Sequence, residues 1–269
     1  QSLLQVLQPL IDPEFSDHSY GFRPGRSAHQ AVLKAQSYVQ AGRTFVVDVD
    51  LEKFFDRVNH DVLMSRLERR IADRRVLQLI RRYLQAGILA NGLVMDRHEG
   101  TPQGGPLSPL LANVLLDEVD RELARRGHCF VRYADDCNVY VRSRTSGARV
   151  LAALRTLYGR LKLKINEAKS AVAQATQRKF LGFSFYRHRG QIKRRVAAKA
   201  LDTFKVRIRQ ITRRSGGKSI EQVVDTLRAY LPGWKNYFQL AETPSTFRGL
   251  DEWLRHRLRV LHLKHWKRG

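Results

Sequence analysis

Asp135 and Asp136 stand side by side in Tyr133-Ala134-Asp135-Asp136, between the apolar runs Phe130-Val131-Arg132 and Asn138-Val139-Tyr140-Val141. Two such runs around a short polar tip read as a hairpin with the acids at its turn. Adjacent carboxylates repel each other unless something positive lies between them. A pair of divalent cations about 4 Å apart removes the repulsion, activates an attacking oxygen and stabilises a leaving one. Carboxylate, carbonyl and water ligands favour Mg²⁺. The plainer alternative is that Asp-Asp simply suits a turn. A third carboxylate, Asp50, ends a β-branched run, and the strand period of two puts Asp48 on the same face.

These groups need a frame. Residues 45–51 read as a strand after Gly42-Arg43-Thr44. Residues 61–84 read as two helices, with Asp73 capping the second and Gly87 just past its end. Residues 88–95 form a hairpin pattern turning at Asn91-Gly92. Ser108-Pro109 reads as an N-cap followed by proline at the first helical position, for a helix to about Arg126 that Gly127 stops. The acid-bearing hairpin spans 129–142, an amphipathic helix 148–163, and a short hairpin 180–195. Beyond residue 195 the pattern is helical, with Val196, Leu201, Phe204, Ile208 and Ile211 on one face. Gly216-Gly217 breaks that helix, Ser219 caps the next, which should end before Pro232, and a last helix follows Pro244. The predicted fold class is α+β.

Composition narrows the partners. The 269 residues carry 49 Lys plus Arg against 25 Asp plus Glu, a net charge of +24. A balance this basic points to a polyanion, nucleic acid first and an anionic membrane surface second. Residues 187–218 hold twelve Lys or Arg against the single acid Asp202, which sets a boundary near 187–195. Apolar residues make up 43%, enough for a core, and no apolar run reaches the roughly 18 residues of a membrane helix. Two cysteines exclude a disulfide scaffold and a four-cysteine zinc site and fit a reducing, cytoplasmic setting. Nucleotide-binding loops of the Gly-x-x-x-x-Gly-Lys-Ser and Gly-x-Gly-x-x-Gly kinds are absent from the sequence.

Five segments occur in an order that carries a resemblance. Phe45-Val46-Val47-Asp48-Val49-Asp50-Leu51-Glu52-Lys53-Phe54-Phe55-Asp56, Thr101-Pro102-Gln103-Gly104-Gly105-Pro106-Leu107-Ser108-Pro109 and Arg132-Tyr133-Ala134-Asp135-Asp136 resemble the catalytic motifs of reverse transcriptases. Ser19-Tyr20-Gly21-Phe22-Arg23-Pro24-Gly25-Arg26-Ser27-Ala28 narrows this to the group II intron-encoded reverse transcriptase/maturase family. So does Leu231-Pro232-Gly233-Trp234-Lys235-Asn236-Tyr237-Phe238, followed by Leu250-Asp251-Glu252-Trp253, which is similar to the family's thumb or maturase region. The resemblance covers essentially the whole chain. It implies a palm with an antiparallel sheet and packed helices, then an all-helical thumb/maturase domain. On that basis residues 1–190 are partial fingers and palm, and residues 191–269 are the RNA-binding thumb.

The resemblance also implies roles. Asp50, Asp135 and Asp136 become the metal-binding aspartates for two Mg²⁺. Asp50 is preferred to Asp48 because the family pattern places an aromatic five residues later, at Phe55, and an aspartate at Asp56. Phe55 resembles the steric gate against a ribose 2′-OH, its alternative being a core phenylalanine beside Phe54. Gln103 and Gly104 are nucleotide-binding, Gly104-Gly105 allowing close backbone approach. Lys169 is similar to a lysine near the leaving pyrophosphate, acting as general acid or charge stabiliser. Phe180, Leu181, Gly182 and Phe183 look like the primer grip. Arg23 and Arg26, in a Gly- and Pro-bearing loop before a helix, are read as phosphate contacts. So are Lys193, Arg194, Arg195, Arg207, Arg213 and Arg214 of the basic thumb. Trp234, Tyr237 and Trp253 divide between stacking on RNA and core packing, with core packing expected for most.

The implied reaction is RNA-directed DNA synthesis, in which a DNA primer 3′-OH attacks a dNTP on an RNA template, in the family an intron RNA. Splicing assistance is the companion role. The resemblance starts after a further fingers segment and stops before a DNA-binding tail, so the chain reads as a fragment or truncated product. The alternatives are a non-enzymatic RNA-binding splicing maturase, or a related reverse transcriptase serving defence, repair or spacer acquisition.

Overall fold

A computed structural model describes the chain except residues 87, 91–92, 96–98, 103, 214–216, 218 and 267–269, and except the side chains of 88–90, 93–95 and 265. The expected stop at Gly87, the turn at Asn91-Gly92, Gln103, Arg214 and Gly216 therefore lie outside the described residues. Two compact units form, Gln1–Ala175 and Thr176–Gly269.

The first unit runs α1 (Ser2–Ile11), α2 (Ala28–Gln40), β1 (Phe45–Val49), α3 (His60–Leu67), α4 (Arg74–Gln85), β2 (Ile88–Ala90), β3 (Leu93–Met95), α5 (Ser108–Arg125), β4 (Cys129–Tyr133), β5 (Asp136–Val141), α6 (Arg144–Arg160) and β6 (Ala171–Gln174). Four strands make an antiparallel sheet of order β4-β5-β1-β6, while β2 and β3 pair as a separate hairpin. β1 lies inside the sheet, where its β-branched residues fit a pleat covered on both faces. Its register with β5 runs from Phe45 opposite Val141 to Val49 opposite Cys137. Alternation sends Val47, Val49, Cys137 and Val139 into one core with Leu111 and Leu115 of α5 and Leu154 of α6. On the other face α2 buries Ala31, Val32, Ala35 and Val39, and its Tyr38 meets Tyr140 with ring centroids 5.8 Å apart.

Local capping follows the sequence at several points. The Asp73 carboxylate accepts from the Arg75 and Val76 N–H groups at the start of α4. Ser27 and Gln30 form a reciprocal capping box on α2. Other expectations need correction. Ser108 is the first residue of α5 rather than its cap, because its hydroxyl donates 2.7 Å to the Pro102 carbonyl. α6 begins at Arg144, four residues early, since Ser143 caps it. β6 carries no strand signal in Ala-Val-Ala-Gln and exists through its pairing with β1, from Phe45 opposite Gln174 to Asp48 opposite Ala171.

The second unit comprises β7 (Lys179–Phe180), β8 (Phe183–His188), β9 (Gln191–Val196), α7 (Ala198–Ile211), α8 (Ile220–Phe238) and α9 (Pro244–Trp266). Residues 187–195, where the rise in charge suggested a boundary, pair within the β8–β9 hairpin, and contacts divide the chain at Ala175/Thr176 instead. Phe204, Ile208, Ile211, Val223, Leu227, Leu250 and Leu261 form the core of the three helices. No helix among the described residues is long and apolar enough to cross a membrane.

α8 does not stop before Pro232 but continues through it to Phe238. An interior proline removes one helix bond and costs about 3 kcal/mol. Packing beyond it offsets the cost: the Trp234 ring lies 4.3 Å from Phe204 and 4.8 Å from Phe238. Pro232→Ala restores the missing N–H but frees the unfolded chain, worth about 0.4–1 kcal/mol the other way. The variant should gain about 2–2.6 kcal/mol in denaturant unfolding with unchanged helix content. A loss of stability would mean that α8 uses the proline as a built-in bend.

Candidate active site

Asp50 sits one residue beyond β1, braced through its backbone. Its N–H donates to Ser170 Oγ at 3.0 Å, and its carbonyl accepts from the Asn166 N–H at 2.8 Å. The neighbouring Glu52 N–H reaches the Lys164 carbonyl, and Leu51 bridges to Ile165. Segment 164–170 thus runs alongside Asp50 and brings Lys169 Nζ to 3.6 Å from Asp50 Oδ1. Asp48 has a different setting. It lies inside the ladder opposite Asn138, whose amide donates to Asp48 Oδ1 at 2.9 Å.

The other two aspartates lie at the tip of the β4–β5 hairpin, where Tyr133 pairs with Asp136 and the Ala134-Asp135 loop joins them. Ala134 is left-handed, φ +56°. That is the first position of a two-residue loop, where glycine is favoured, and an alanine there costs about 1–2 kcal/mol. Asp135 is half-buried and Asp136 exposed. Burial pushes the Asp135 carboxyl above its ordinary value, and the charge of Asp50 pushes the same way. Asp50 thus lies near enough for its charge to act on Asp135, which a cation bound between them would relieve. Among the described residues no three His, Cys, Asp or Glu side chains gather into a metal-holding group. The donor set fits Mg²⁺ even so, because that ion is commonly held by one or two carboxylates plus water and substrate phosphates.

Beneath the tip lies Arg132, the motif residue to which the sequence assigned no role. Arg132 is fully buried and pairs with the equally buried Asp120 at 2.6 Å. Its guanidinium also donates to Asn113 Oδ1 (2.9 Å), the Ala134 carbonyl (2.8 Å) and Ser19 Oγ (2.7 Å). The loop before α2 closes on the same place. The Tyr20 N–H donates to the Arg132 carbonyl, the Arg132 N–H to that of His18, and Asn113 Nδ2 to the Gly21 carbonyl at 3.0 Å. A Cβ on Gly21 would overlap the Ala134 amide nitrogen, so only glycine fits. The available sequence signal was polar residues placed in apolar elements: Arg132 in β4, and Asn113 and Asp120 in α5.

The remaining predicted residues divide. Phe54 is buried, and Phe55 is half-buried with its ring 5.1 Å from that of Phe54. Gly104 is exposed at φ +82°, while Gly105 lies so close to the Tyr83 hydroxyl that a Cβ would overlap it. Arg23 requires correction as a phosphate contact. It is buried, and its guanidinium goes to the Asp12 carboxylate and to the carbonyls of Asp12, Ser16 and Ser19. Arg26 pairs with Asp17 at 2.6 Å and lies over the Tyr20 ring.

In the second unit Phe180 and Phe183 are buried. Leu181 and Gly182 form the left-handed loop between β7 and β8, where the Leu181 carbonyl accepts from the Tyr237 hydroxyl at 2.9 Å. Arg194 turns to Glu242 at 3.0 Å and is no outward contact, because that carboxylate also accepts from its N–H. Arg195 is exposed over the Tyr186 ring, Lys193 is half-buried, and Arg207 and Arg213 are exposed. Arg178, Lys179, Arg195 and Lys199, with no acid among them, line a cleft of about 720 Å³. Trp234 packs in the core, and Trp253 lies under Arg209 and Arg257.

Residues 1–185 match the reverse transcriptase (RNA-dependent DNA polymerase) family, and residues 201–269 match the group II intron maturase-specific domain. Protein YkfC of Escherichia coli is 30% identical over 228 residues, 70% of this chain and 59% of that protein. The group II intron-encoded protein LtrA of Lactococcus lactis is 41% identical over 116 residues, 43% of this chain and 19% of LtrA. The match thus spans less than two thirds of either relative. Telomerase from Candida albicans, solved with a fragment of telomeric RNA, superimposes with a TM-score of 0.57 at 17% identity, over 88% of this chain and 47% of that one, which shows a shared fold. An α+β unit with an antiparallel sheet, followed by a unit built largely of helices, is the arrangement these matches describe, and the chain belongs to the group II intron reverse transcriptase/maturase family.

Proposed function

We propose that this chain carries the polymerising site of an RNA-directed DNA polymerase and holds RNA through its basic second unit. The observation that supports this most is the β1–β5 register, which brings Asp50 out at the end of the sheet that carries the Asp135 turn. Asp50, Asp135 and Asp136 would hold two Mg²⁺, which when bound lower the pKa of an attacking 3′-hydroxyl and neutralise charge on the leaving pyrophosphate. Lys169, already beside Asp50, adds positive charge there and offers a proton at Nζ to the leaving group. Phe55 closes the volume of a ribose 2′-OH. Gly104 leaves backbone open to the nucleotide, and Gln103 offers it an amide. The Leu181-Gly182 loop steadies the primer terminus. Lys193, Arg195, Arg207, Arg213 and Arg214, with the cleft of Lys179 and Lys199, take RNA phosphates, so that the first unit serves as palm and the second as thumb and maturase. In this reading the RNA is an intron's, and the same contacts assist its splicing.

Asp135→Asn should abolish primer extension on an RNA template and leave RNA affinity within a few-fold. The folded-state pKa of Asp135 is raised, so its ionisation costs stability once the pH exceeds the unfolded value. Metal-free Asp135→Asn should therefore melt above the wild type at pH 7, with the gain vanishing below about pH 4. Mg²⁺ should raise the wild-type melting temperature and barely move the variant's. Undiminished extension by Asp135→Asn rules the assignment out.

Phe55→Val should raise ribonucleotide incorporation about tenfold, or about 1.4 kcal/mol of discrimination, read as kcat/KM for rNTP over dNTP. Phe54→Val should instead cost about 1–3 kcal/mol of stability, since Phe54 points into the core. The reverse pattern would show that the motif is one residue out of register.

Arg195→Gln with Lys199→Gln should lower the slope of log affinity against log salt by about 0.7–0.9 per lost RNA phosphate contact. Arg194→Gln should leave that slope alone and lower stability, because it strands Glu242. Equal slopes for all three proteins would take the cleft out of the RNA path.

A further inference from the structure

Arg132 has more partners than a stabilising ion pair needs. A guanidinium has five N–H donors, and each has an acceptor here. Nε goes to the Asp120 carboxylate at 2.9 Å. One Nη1 hydrogen goes to Asn113 Oδ1 and the other to the Ala134 carbonyl. The two on Nη2 go to Asp120 Oδ2 and Ser19 Oγ. These acceptors come from three separate stretches of chain: α5, the loop before α2, and the hairpin tip. Well-packed apolar side chains often replace a buried ion pair without loss of stability. An apolar side chain could not hold a carbonyl at a chosen angle, which is what Nη1 does at Ala134.

That carbonyl belongs to the left-handed residue immediately before Asp135. On its other side, Gly21 presses against the Ala134 amide, and Asn113 ties Gly21 and Arg132 together through the two ends of its own amide. The turn is held from both sides through the backbone of Ala134. We infer that Arg132 is a positioning residue: by holding the Ala134 carbonyl it fixes the left-handed turn and so sets the directions in which Asp135 and Asp136 present their carboxylates. The inference rests on the reading that these aspartates carry the chemistry.

Arg132→Lys is the informative variant. It keeps a positive charge beside Asp120, but one ammonium cannot replace a planar fork reaching Asp120, Asn113, Ser19 and Ala134 together. In the full chain, kcat for primer extension should fall on the order of 100-fold, as for reacting groups displaced by about 1 Å. KM for primer–template and RNA affinity should stay within a few-fold. In metal-free protein, amide exchange over residues 133–137 should quicken about tenfold relative to Val119→Ala, a core variant of similar stability that retains wild-type kcat. Ser19→Ala, which removes one acceptor and leaves the ion pair, should show the same pattern about tenfold more weakly, and decides the matter if Arg132→Lys does not fold. Asp135→Asn separates the two levels. If it extends primers, the catalytic reading fails and takes this inference with it. If it is inactive while Arg132→Lys and Ser19→Ala keep wild-type kcat and tip exchange, the catalytic reading stands and the positioning role is wrong.

Discussion

The register between β1 and β5 is the constraint on which the first unit depends. With Val49 opposite Cys137, Asp50 emerges at the end of the sheet that carries the Ala134-Asp135 turn. Side chains alternate along a strand, so a slip of one residue would turn Val47 and Val49 to the α2 face and drive Asp48 into the core they fill. Each buried valine contributes about 1.5 kcal/mol or more, and an unpaired carboxylate in their place costs several more. β6 grips the other edge of β1 and holds the register from both sides. Apolar packing that never touches a substrate thereby fixes which carboxylates meet.

What could be read in advance follows from where the information is local. The strand 45–49, the acid-bearing hairpin, the Asp73 cap and the Ser219 cap each depend on a few adjacent residues, and each forms. β6 depends on a partner more than a hundred residues away, and its alanines hide it. Arg23 looks like a phosphate ligand within its Gly- and Pro-bearing loop. Asp12, eleven residues upstream, is what captures it. Arg132 shares a strand face with Phe130, and both face the core because Asp120 and Asn113 on α5 supply the polar lining. Asp50, Asp135 and Asp136 stand out within short segments, whereas Asn113, Asp120 and Ser19 meet Arg132 only through the fold.

The net charge of +24 overstates the surface available to a polyanion. Arg23, Arg70, Arg132 and Arg194 are turned inward onto Asp12, Asp117, Asp120 and Glu242. Around α5 the arginines share acids, Arg125 and Arg126 both bonding Glu122, and Arg70 and Arg121 both bonding Asp117. The cleft of Lys179, Arg195 and Lys199 has no such compensation among its lining residues. Equal formal charge thus does two different jobs, internal fastening at residues such as Arg132 and Arg194 and an outward field at the cleft.

β4 is the outermost strand on its side of the sheet, and such strands ordinarily expose a row of unused N–H and C=O groups. Here the loop before α2 lies along it as a parallel bridge, Ser19 to Arg132, with the His18 carbonyl and Tyr20 N–H taking up the backbone groups of Arg132. The opposite border, β6, is only four residues long. Neither margin offers the long open ladder that recruits a foreign strand, so the sheet resists growing by addition of another copy. Short or covered margins of this kind act against strand-to-strand aggregation of the folded chain.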